Sequence, residues 1–373
     1  MMNITFNTQS MQERCLKVQR CVPSKHVLAH IEGILINAEN TAGDVELNGF
    51  DLELGVKCFV EGAQINEPGS VVINAKKLCD IFKFMPGDRF TLETDEKNVC
   101  KIYSGETSYN LMGLNAAEYP ELPEVTDANP LVIPKKTLRS MIRQTIFAVS
   151  LEDSKQIYRG IKFEIEPGEI RLIALDGFRL AIRREFLEYN GESTSFVAPS
   201  KTLTELLKLL NDEEGFVKIY KSKKNIMFDI DGYILLSKLY EGDFIDYKKA
   251  IPTVHTTFVR VNTAELIETI ERVSIIINEK SKTPVILQFD SQNSELNISS
   301  VSATESSKDR MDCSVDGNNL KIAFNNQFLI DALRSCDAEE AVLAFAGYMT
   351  PALLLPTDGD RFMYLILPVV IKQ

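Results

Sequence analysis

One pattern recurs three times along this chain at a nearly constant spacing, and that recurrence restricts the fold more than any other feature. Residues 71–78, 195–203 and 321–329 each pass from an apolar, β-like stretch through a small or polar cap into an amphipathic helix. Their aligned leucines, Leu78, Leu203 and Leu329, lie 125 and 126 residues apart. The helices that follow carry matching stripes: Leu78, Ile81, Phe82 and Met85; Leu203, Leu206, Leu207 and Leu210; Leu329, Ala332, Leu333 and Cys336. The i, i+3, i+4, i+7 spacing puts each stripe on one helix face, to be packed on a sheet. Single helices of this kind arise by chance; three in register at one offset seldom do. A second landmark keeps the offset, with 47–52 matching 172–177 and placing Asp51 opposite Asp176. Residues 296–301 are a weaker third copy.

Each repeat also opens with a helical pattern, over 9–22, 134–149 and 262–277. Pro134 suits a first helical turn, where its missing N–H costs nothing. Asn262 is a good N-cap. Between the helices, apolar and polar residues alternate, as in 90–94 and 216–220, bounded by turn signals such as Pro86-Gly87-Asp88, Pro167-Gly168 and Asp231-Gly232. The expected fold class is therefore α+β: three repeated domains, 1–127, 128–253 and 254–373, each two helices packed on antiparallel sheet. About 125 residues is an ordinary domain size.

The seven cysteines are odd in number and form no C-x-x-C pair. Reduced, buried thiols are expected, not a disulfide framework or a zinc site. Residues 1–4 lack a basic region leading into an apolar run, and the most apolar stretch, 341–356, is interrupted by Gly347, Thr350 and Pro351. No membrane segment and a cytoplasmic location are expected.

The net charge of −12 would argue against nucleic acid as a partner if it were evenly spread. It is not. The six helical segments hold fourteen Lys and Arg against seven Asp and Glu, leaving the remainder at −19. Lys and Arg are good helix formers, and solvated helix faces account for part of this. The alternative is a helix-lined surface that meets phosphate without reading sequence. The third repeat departs from it, since Glu265, Glu268 and Glu271 make its first helix acidic.

No catalytic or metal constellation emerges, and no cofactor is expected. His26, His30 and His255 have no ligand spacing, and Walker A, G-x-G-x-x-G and G-x-S-x-G motifs are absent. Asp51 and Asp176 sit at equivalent repeat positions, which suggests a turn role. Two other readings stay open: a multidomain β-rich enzyme whose site gathers scattered carboxylates, and a non-catalytic scaffold for repair or plasmid factors.

Four runs carry a family resemblance: Leu175-Asp176-Gly177-Phe178-Arg179-Leu180-Ala181, Ser237-Lys238-Leu239-Tyr240-Glu241-Gly242-Asp243-Phe244-Ile245-Asp246-Tyr247, Asn278-Glu279-Lys280 and Tyr364-Leu365-Ile366-Leu367-Pro368-Val369. In this order, on a threefold repeat, the chain resembles the beta subunit of bacterial DNA polymerase III, the sliding clamp, along nearly its whole length. The resemblance implies DNA-clamp domains closing into a ring as a head-to-tail homodimer. Such a ring encircles duplex DNA and tethers the polymerase, raising its effective concentration. The implied partners are double-stranded DNA, a clamp loader, the polymerase III alpha subunit and other proteins with a clamp-binding motif.

The resemblance also implies site residues. Lys25 and Lys76 match basic residues that touch DNA; Arg139, Arg143, Lys201 and Lys208 are added on charge. The family's DNA-touching loop aligns with 152–157 and offers Gln156. The partner-peptide groove is expected from Lys155, Tyr158, Leu175, Gly177, Phe178, Arg179, Leu180, Lys249, Ala250, Leu365, Ile366, Leu367, Pro368 and Val369. It would accept a short peptide bearing Gln and a Leu-Phe pair. Here Phe178, Ile245 and Val370 replace a frequent histidine, proline and arginine. At the subunit interface, Tyr109 and Leu111 would meet Ile275 and Ile276.

Overall fold

The computed structural model describes residues 1–39, 44–126, 129–152, 155–211, 213–277, 283–302 and 304–370. The expected boundary at 127/128, residues 153–154 of the expected DNA loop, the run Asn278-Glu279-Lys280 and the tail 371–373 lie outside the described residues. Among the described residues there are six α-helices: α1 (Thr8–Val18), α2 (Ala75–Phe84), α3 (Lys135–Arg143), α4 (Ser200–Leu209), α5 (Thr263–Ser274) and α6 (Asn326–Ser335). Their stripes are in the core as the periodicity predicts. Leu78, Phe82, Leu203, Leu206, Leu329 and Leu333 are buried, and only Leu207 is half-exposed.

The first helix of each repeat stops earlier than its apolar pattern suggests. α1 ends at Val18 and tightens into a 3-10 turn before Pro23, whose ring disfavours helix at the preceding residue. α3 ends at Arg143, and the Thr145 hydroxyl donates back to the carbonyls of Met141 (2.8 Å) and Ile142 (3.2 Å). Pro134 closes a strand, Leu131–Pro134, and the helix begins one residue later.

The chain divides into two compact units that cut across the repeats: residues 1–136 with 201–239, and 137–200 with 240–373. In the first, a five-stranded sheet runs in the order Gln64–Glu67, Met2–Asn7, Arg89–Thr94, Val99–Ser104, Thr107–Met112. An eight-stranded sheet runs Leu131–Pro134, Phe216–Lys221, Asn225–Ile230, Tyr233–Lys238, Leu54–Val60, Val45–Phe50, Gly33–Asn37, Ser70–Asn74. The second unit holds a nine-stranded sheet: Thr194–Pro199, Gly160–Glu166, Gly168–Leu175, Arg179–Leu187, Phe362–Ile366, Ala352–Pro356, Glu340–Phe345, Thr257–Asn262, Ser314–Gly317. Its four-stranded sheet runs Ser306–Asp312, Glu295–Val301, Val285–Asp290, Leu320–Phe324.

Each large sheet is a fusion of consecutive repeats through one antiparallel junction. Leu54–Val60 pairs with Tyr233–Lys238, with Leu54 opposite Ser237 and Cys58 opposite Tyr233. In the second unit Arg179–Leu187 pairs with Phe362–Ile366, with Arg179 opposite Ile366. Both junctions use the same two repeat positions. One copy of each position is left over: Thr107–Met112 and Ser306–Asp312, each an outer strand of a smaller sheet.

Backbone detail confirms the repeat. The first N–H of each opening helix donates to an equivalent loop carbonyl: Thr8 to Asp88 (2.9 Å), Lys135 to Gly215 (3.0 Å) and Thr263 to Glu339 (2.9 Å). Lys135, where the other repeats have threonine, is buried, and its ammonium pairs with Asp231. Gly215 lies so close that an added Cβ would sit 2.5 Å from Lys135 Cε. Asp51 Oδ1 accepts from the N–H groups of Glu53 (3.0 Å) and Leu54 (2.6 Å). Asp176 Oδ1 accepts likewise from Phe178 (2.9 Å) and Arg179 (3.0 Å). Leu52 and Gly177 hold the same left-handed position, at φ 76° and 92°. In the third repeat Ser302 makes this turn, its hydroxyl accepting from Glu305 N–H at 3.0 Å. The third copy is therefore registered two residues later than 296–301. A two-residue slip leaves every strand residue on its original face, so the hydrophobic pattern cannot detect it.

In the first and third repeats the opening strand, Met2–Asn7 or Thr257–Asn262, is covered on its outer edge by Gln64–Glu67 or Ser314–Gly317. Leu131–Pro134 pairs with Phe216–Lys221 and has no second strand among the described residues. Since Lys135 N–H faces that neighbour, alternation turns residues 130, 132 and 134 outward, and two of the three are proline. Proline offers no N–H, which blunts an open edge. The double substitution Pro130→Val with Pro134→Asn is expected to produce concentration-dependent association by light scattering, while the wild-type edge stays inert.

Candidate functional site

Six of the seven cysteines are buried, Cys313 is half-buried, and all are free. Burial pushes the Cys21, Cys58 and Cys79 thiols up to about 12, far from a reactive thiolate. Among the described residues no group of three or more His, Cys, Asp and Glu could hold a metal, and no helix is long and apolar enough to cross a membrane.

The expected groove residues converge in the second unit around the 176–179 turn. Gly177 in the left-handed region lets the chain reverse, and Asp176 clamps the reversal through the hydrogen bonds given above. Phe178 is thereby held outward, 58% exposed, with its ring stacked 6.2 Å from that of Phe328 on α6. Arg179 turns back. Its guanidinium meets Asp176 at 2.9 Å and Asp331 at 2.6 Å and lies 4.5 Å from the Phe328 ring centroid. It is thus a structural tie, its single charge shared between two carboxylates, more than a loose cation at a rim.

The floor is the apolar cluster of Ile173, Leu175, Leu180, Ile182, Tyr247, Ala344, Leu353 and Leu365, all buried. Half-open Tyr158, Phe244, Ile251, Leu355 and Met363 pack on it and supply surface that a ligand could touch. Tyr158 and Phe244 meet edge to face at 5.6 Å. The Lys155 ammonium sits 5.5 Å above Tyr158. Lys249 is exposed and loosely paired with Asp246 at 3.3 Å, and Ala250 is also exposed. Along one side the C-terminal segment is fixed by Leu367 N–H to the Phe178 carbonyl (2.9 Å) and Val369 N–H to the Ala323 carbonyl (2.8 Å). Leu367 and Val369 remain about one-third exposed beside half-buried Pro368, while Ile366 faces the core.

Sequence reasoning gathered most of this surface but missed Phe244, Tyr247, Phe328, Met363 and Asp331. Phe244 and Tyr247 stand inside a recognised run; nothing local marks Phe328 or Asp331, which arrive through α6. Behind the floor, the Tyr247 hydroxyl donates to Glu164 (2.8 Å), which also holds Lys162 (2.7 Å). Burial works to raise the Glu164 pKa, but the bonds from Lys162 and Tyr247 and the nearby Lys162 and Arg171 charges outweigh it and hold the carboxyl low.

The residues expected to face DNA, six cations and neutral Gln156, fall into three groups. Lys25, Lys76, Arg143 and Gln156 are exposed. Lys201 is exposed but paired with Asp51, and Lys208 pairs with Glu205 at 2.7 Å. Arg139 is half-buried. Two other helix charges are answered at once: buried Lys135 by Asp231, and Arg334 of α6 by Glu271 of α5. At the expected interface, Tyr109 and Leu111 are half-exposed on the outer strand Thr107–Met112. Ile275 is 82% exposed just past α5, beside half-exposed Ile276.

Three family models match in series: the N-terminal domain of the DNA polymerase III beta subunit over residues 2–123, the central domain over 132–246 and the C-terminal domain over 248–370. The beta sliding clamps of Staphylococcus epidermidis and Bacillus subtilis are each 30% identical, over 99% of both chains. The solved Bacillus subtilis DNA polymerase sliding clamp superposes with a TM-score of 0.96 at 30% identity over the whole of both chains. A putative beta subunit from Eubacterium rectale gives 0.93, also at 30% identity, over 99% of both chains. The chain belongs to the DNA polymerase III beta subunit family, and its three domains are clamp domains. It acts as a DNA sliding clamp, a processivity factor and not a catalyst. Its class implies DNA, polymerase or other clamp-binding partners, and a second copy of itself.

Because the folded Glu164 pKa is lowered, its contribution to stability is present above the unfolded value of about 4.3 and is lost as pH falls through the folded value. The Tm difference between wild type and Glu164→Gln should be largest near neutral pH and shrink below about pH 4.3. A pH-independent difference would mean that the pairing is unimportant.

Proposed function

We propose that two copies associate head to tail into a closed ring around duplex DNA, that a clamp loader opens and seats it, and that the groove receives motif-bearing segments of the polymerase III alpha subunit and other DNA-processing proteins in the cytoplasm. The observation that carries this reading is the pair of strands left over from the internal junctions. Thr107–Met112 and Ser306–Asp312 are the first- and third-repeat counterparts of strands that pair at both internal junctions. They are complementary and at opposite ends of the repeat series, so joining them between two copies is heterologous and can close. Tyr109 and Leu111, together with Ile275 and Ile276, would line that contact. The three domains are taken as 1–127, 128–253 and 254–373.

DNA would be held without base readout, by the charges of Lys25, Lys76, Arg139, Arg143, Lys201 and Lys208 and a polar contact from neutral Gln156. The ion pairs of Lys201 and Lys208 predict that these two contribute less than Lys25 and Lys76. In the groove, Phe178, Tyr158, Leu367 and Val369 offer accessible apolar surface on the floor of Leu175, Leu180 and Leu365, so a few anchors would dominate affinity. Gly177 and Arg179 shape the turn, Ile366 and Pro368 hold the tail strand, and Lys155, Lys249 and Ala250 mark the rim.

Protein seated by its loader on nicked circular DNA should stay bound in a gel-filtration run and be lost once the circle is cut. Equal retention on circular and linear DNA would exclude topological tethering. Leu111→Asp should convert the dimer to monomer in sedimentation velocity while leaving groove-peptide affinity intact; an unchanged dimer would place the interface elsewhere.

A further inference from the structure

The hairpin formed by Phe216–Lys221 and Asn225–Ile230 is a basic stretch of an acidic chain. Residues 216–230 contain four lysines and a single acid, Asp229. The equivalent hairpin of the first repeat has Asp95 and Glu96 at its tip, and that of the third has Tyr348 and Met349. Here the tip is a rigid turn. Ser222 N–H donates to the Asn225 carbonyl (2.9 Å), and Asn225 N–H donates to the Ser222 hydroxyl (3.1 Å). The turn presents Lys223 and Lys224, both exposed, with exposed Lys238 on the next strand directly opposite Asn225. None of Lys218, Lys223, Lys224 and Lys238 has an ion-pair partner among the described residues.

The outer face of the same hairpin is apolar as well as basic. Val217 and Ile219 point into the core, so Phe216, Lys218 and Tyr220 share the opposite face. Phe216 is 63% exposed, and Val132, directly across from Lys218, is 43% exposed. Phosphate backbone has no apolar surface to bury against such residues, whereas a polypeptide does. The proline-blunted edge beside Val132 discourages strand addition, so a ligand would lie on the face and not extend the sheet.

We propose that this face docks an extended, acidic and apolar polypeptide segment of a partner protein, its carboxylates on Lys218, Lys223 and Lys224 and an apolar side chain against Phe216 and Val132. From Phe216 to the tip is about 23 Å at ~3.3 Å per residue, which matches a segment of about seven residues. The site belongs to the first unit and shares no residue with the candidate groove around Phe178.

The test uses the full chain and a fluorescein-labelled peptide in which Asp or Glu alternates with Leu or Phe, followed by fluorescence anisotropy. Binding should weaken with salt, fall at least about ten-fold, or ~1.4 kcal/mol, in Lys223→Glu/Lys224→Glu, and fall in Phe216→Ser. Both variants change exposed positions, and unchanged circular dichroism would confirm that they fold. No binding to the wild-type chain, or binding that survives the charge reversal, overturns the proposal. So does a duplex oligonucleotide bound through the same lysines without dependence on Phe216, which would make the face a nucleic-acid surface.

Discussion

Antiparallel pairing between consecutive repeats is the interaction on which this architecture rests. A strand edge exposes a row of N–H and C=O groups whose burial without partners would cost about 1–3 kcal/mol each. The chain answers that demand twice internally, with Leu54–Val60 on Tyr233–Lys238 and Arg179–Leu187 on Phe362–Ile366. Each compact unit therefore joins a whole outer repeat to part of the middle one through a shared sheet. The open ends that remain are the natural place for a second molecule.

The candidate groove is a by-product of the second junction. The 176–179 turn immediately precedes the pairing strand, and Leu180 and Leu365 face each other across it. The same few residues that join two repeats thus gather an apolar cluster beside the 176–179 turn. Arg179 stiffens it by bridging the turn to α6 through Asp331. At the first junction, Lys201 reaches Asp51 in a comparable way, from helix to turn. The proposed recognition surface lies where the chain already needed rigidity.

The threefold offset, the helix stripes and the α+β class were legible because periodicity survives as a pattern of apolar residues. Helix ends were less so: Pro23 and Thr145 truncate helices whose apolar rhythm continues. Ser302 was missed because a hydroxyl replaces the carboxylate of Asp51 and Asp176, and a two-residue slip is silent in a strand. The partnering of charges was not legible either. Lys135 and Arg334 count as positive in composition but are neutralised by Asp231 and Glu271, so helix charge overstated what is available to phosphate. Phe328 and Asp331 enter the groove only through the packing of α6, which no local signal records.

Lys135 and Gly215 also bind the history of two positions together. A lysine tail fills the space a side chain at 215 would need, and Gly215 has φ 152°, which few other residues adopt. The dependence runs one way: position 135 can shorten while 215 stays glycine, but a side chain at 215 needs the lysine tail out of its space first. In homologues a residue larger than glycine at 215 should therefore occur only beside a shorter residue at 135, with Asp231 free to lose its acid only after the lysine has gone.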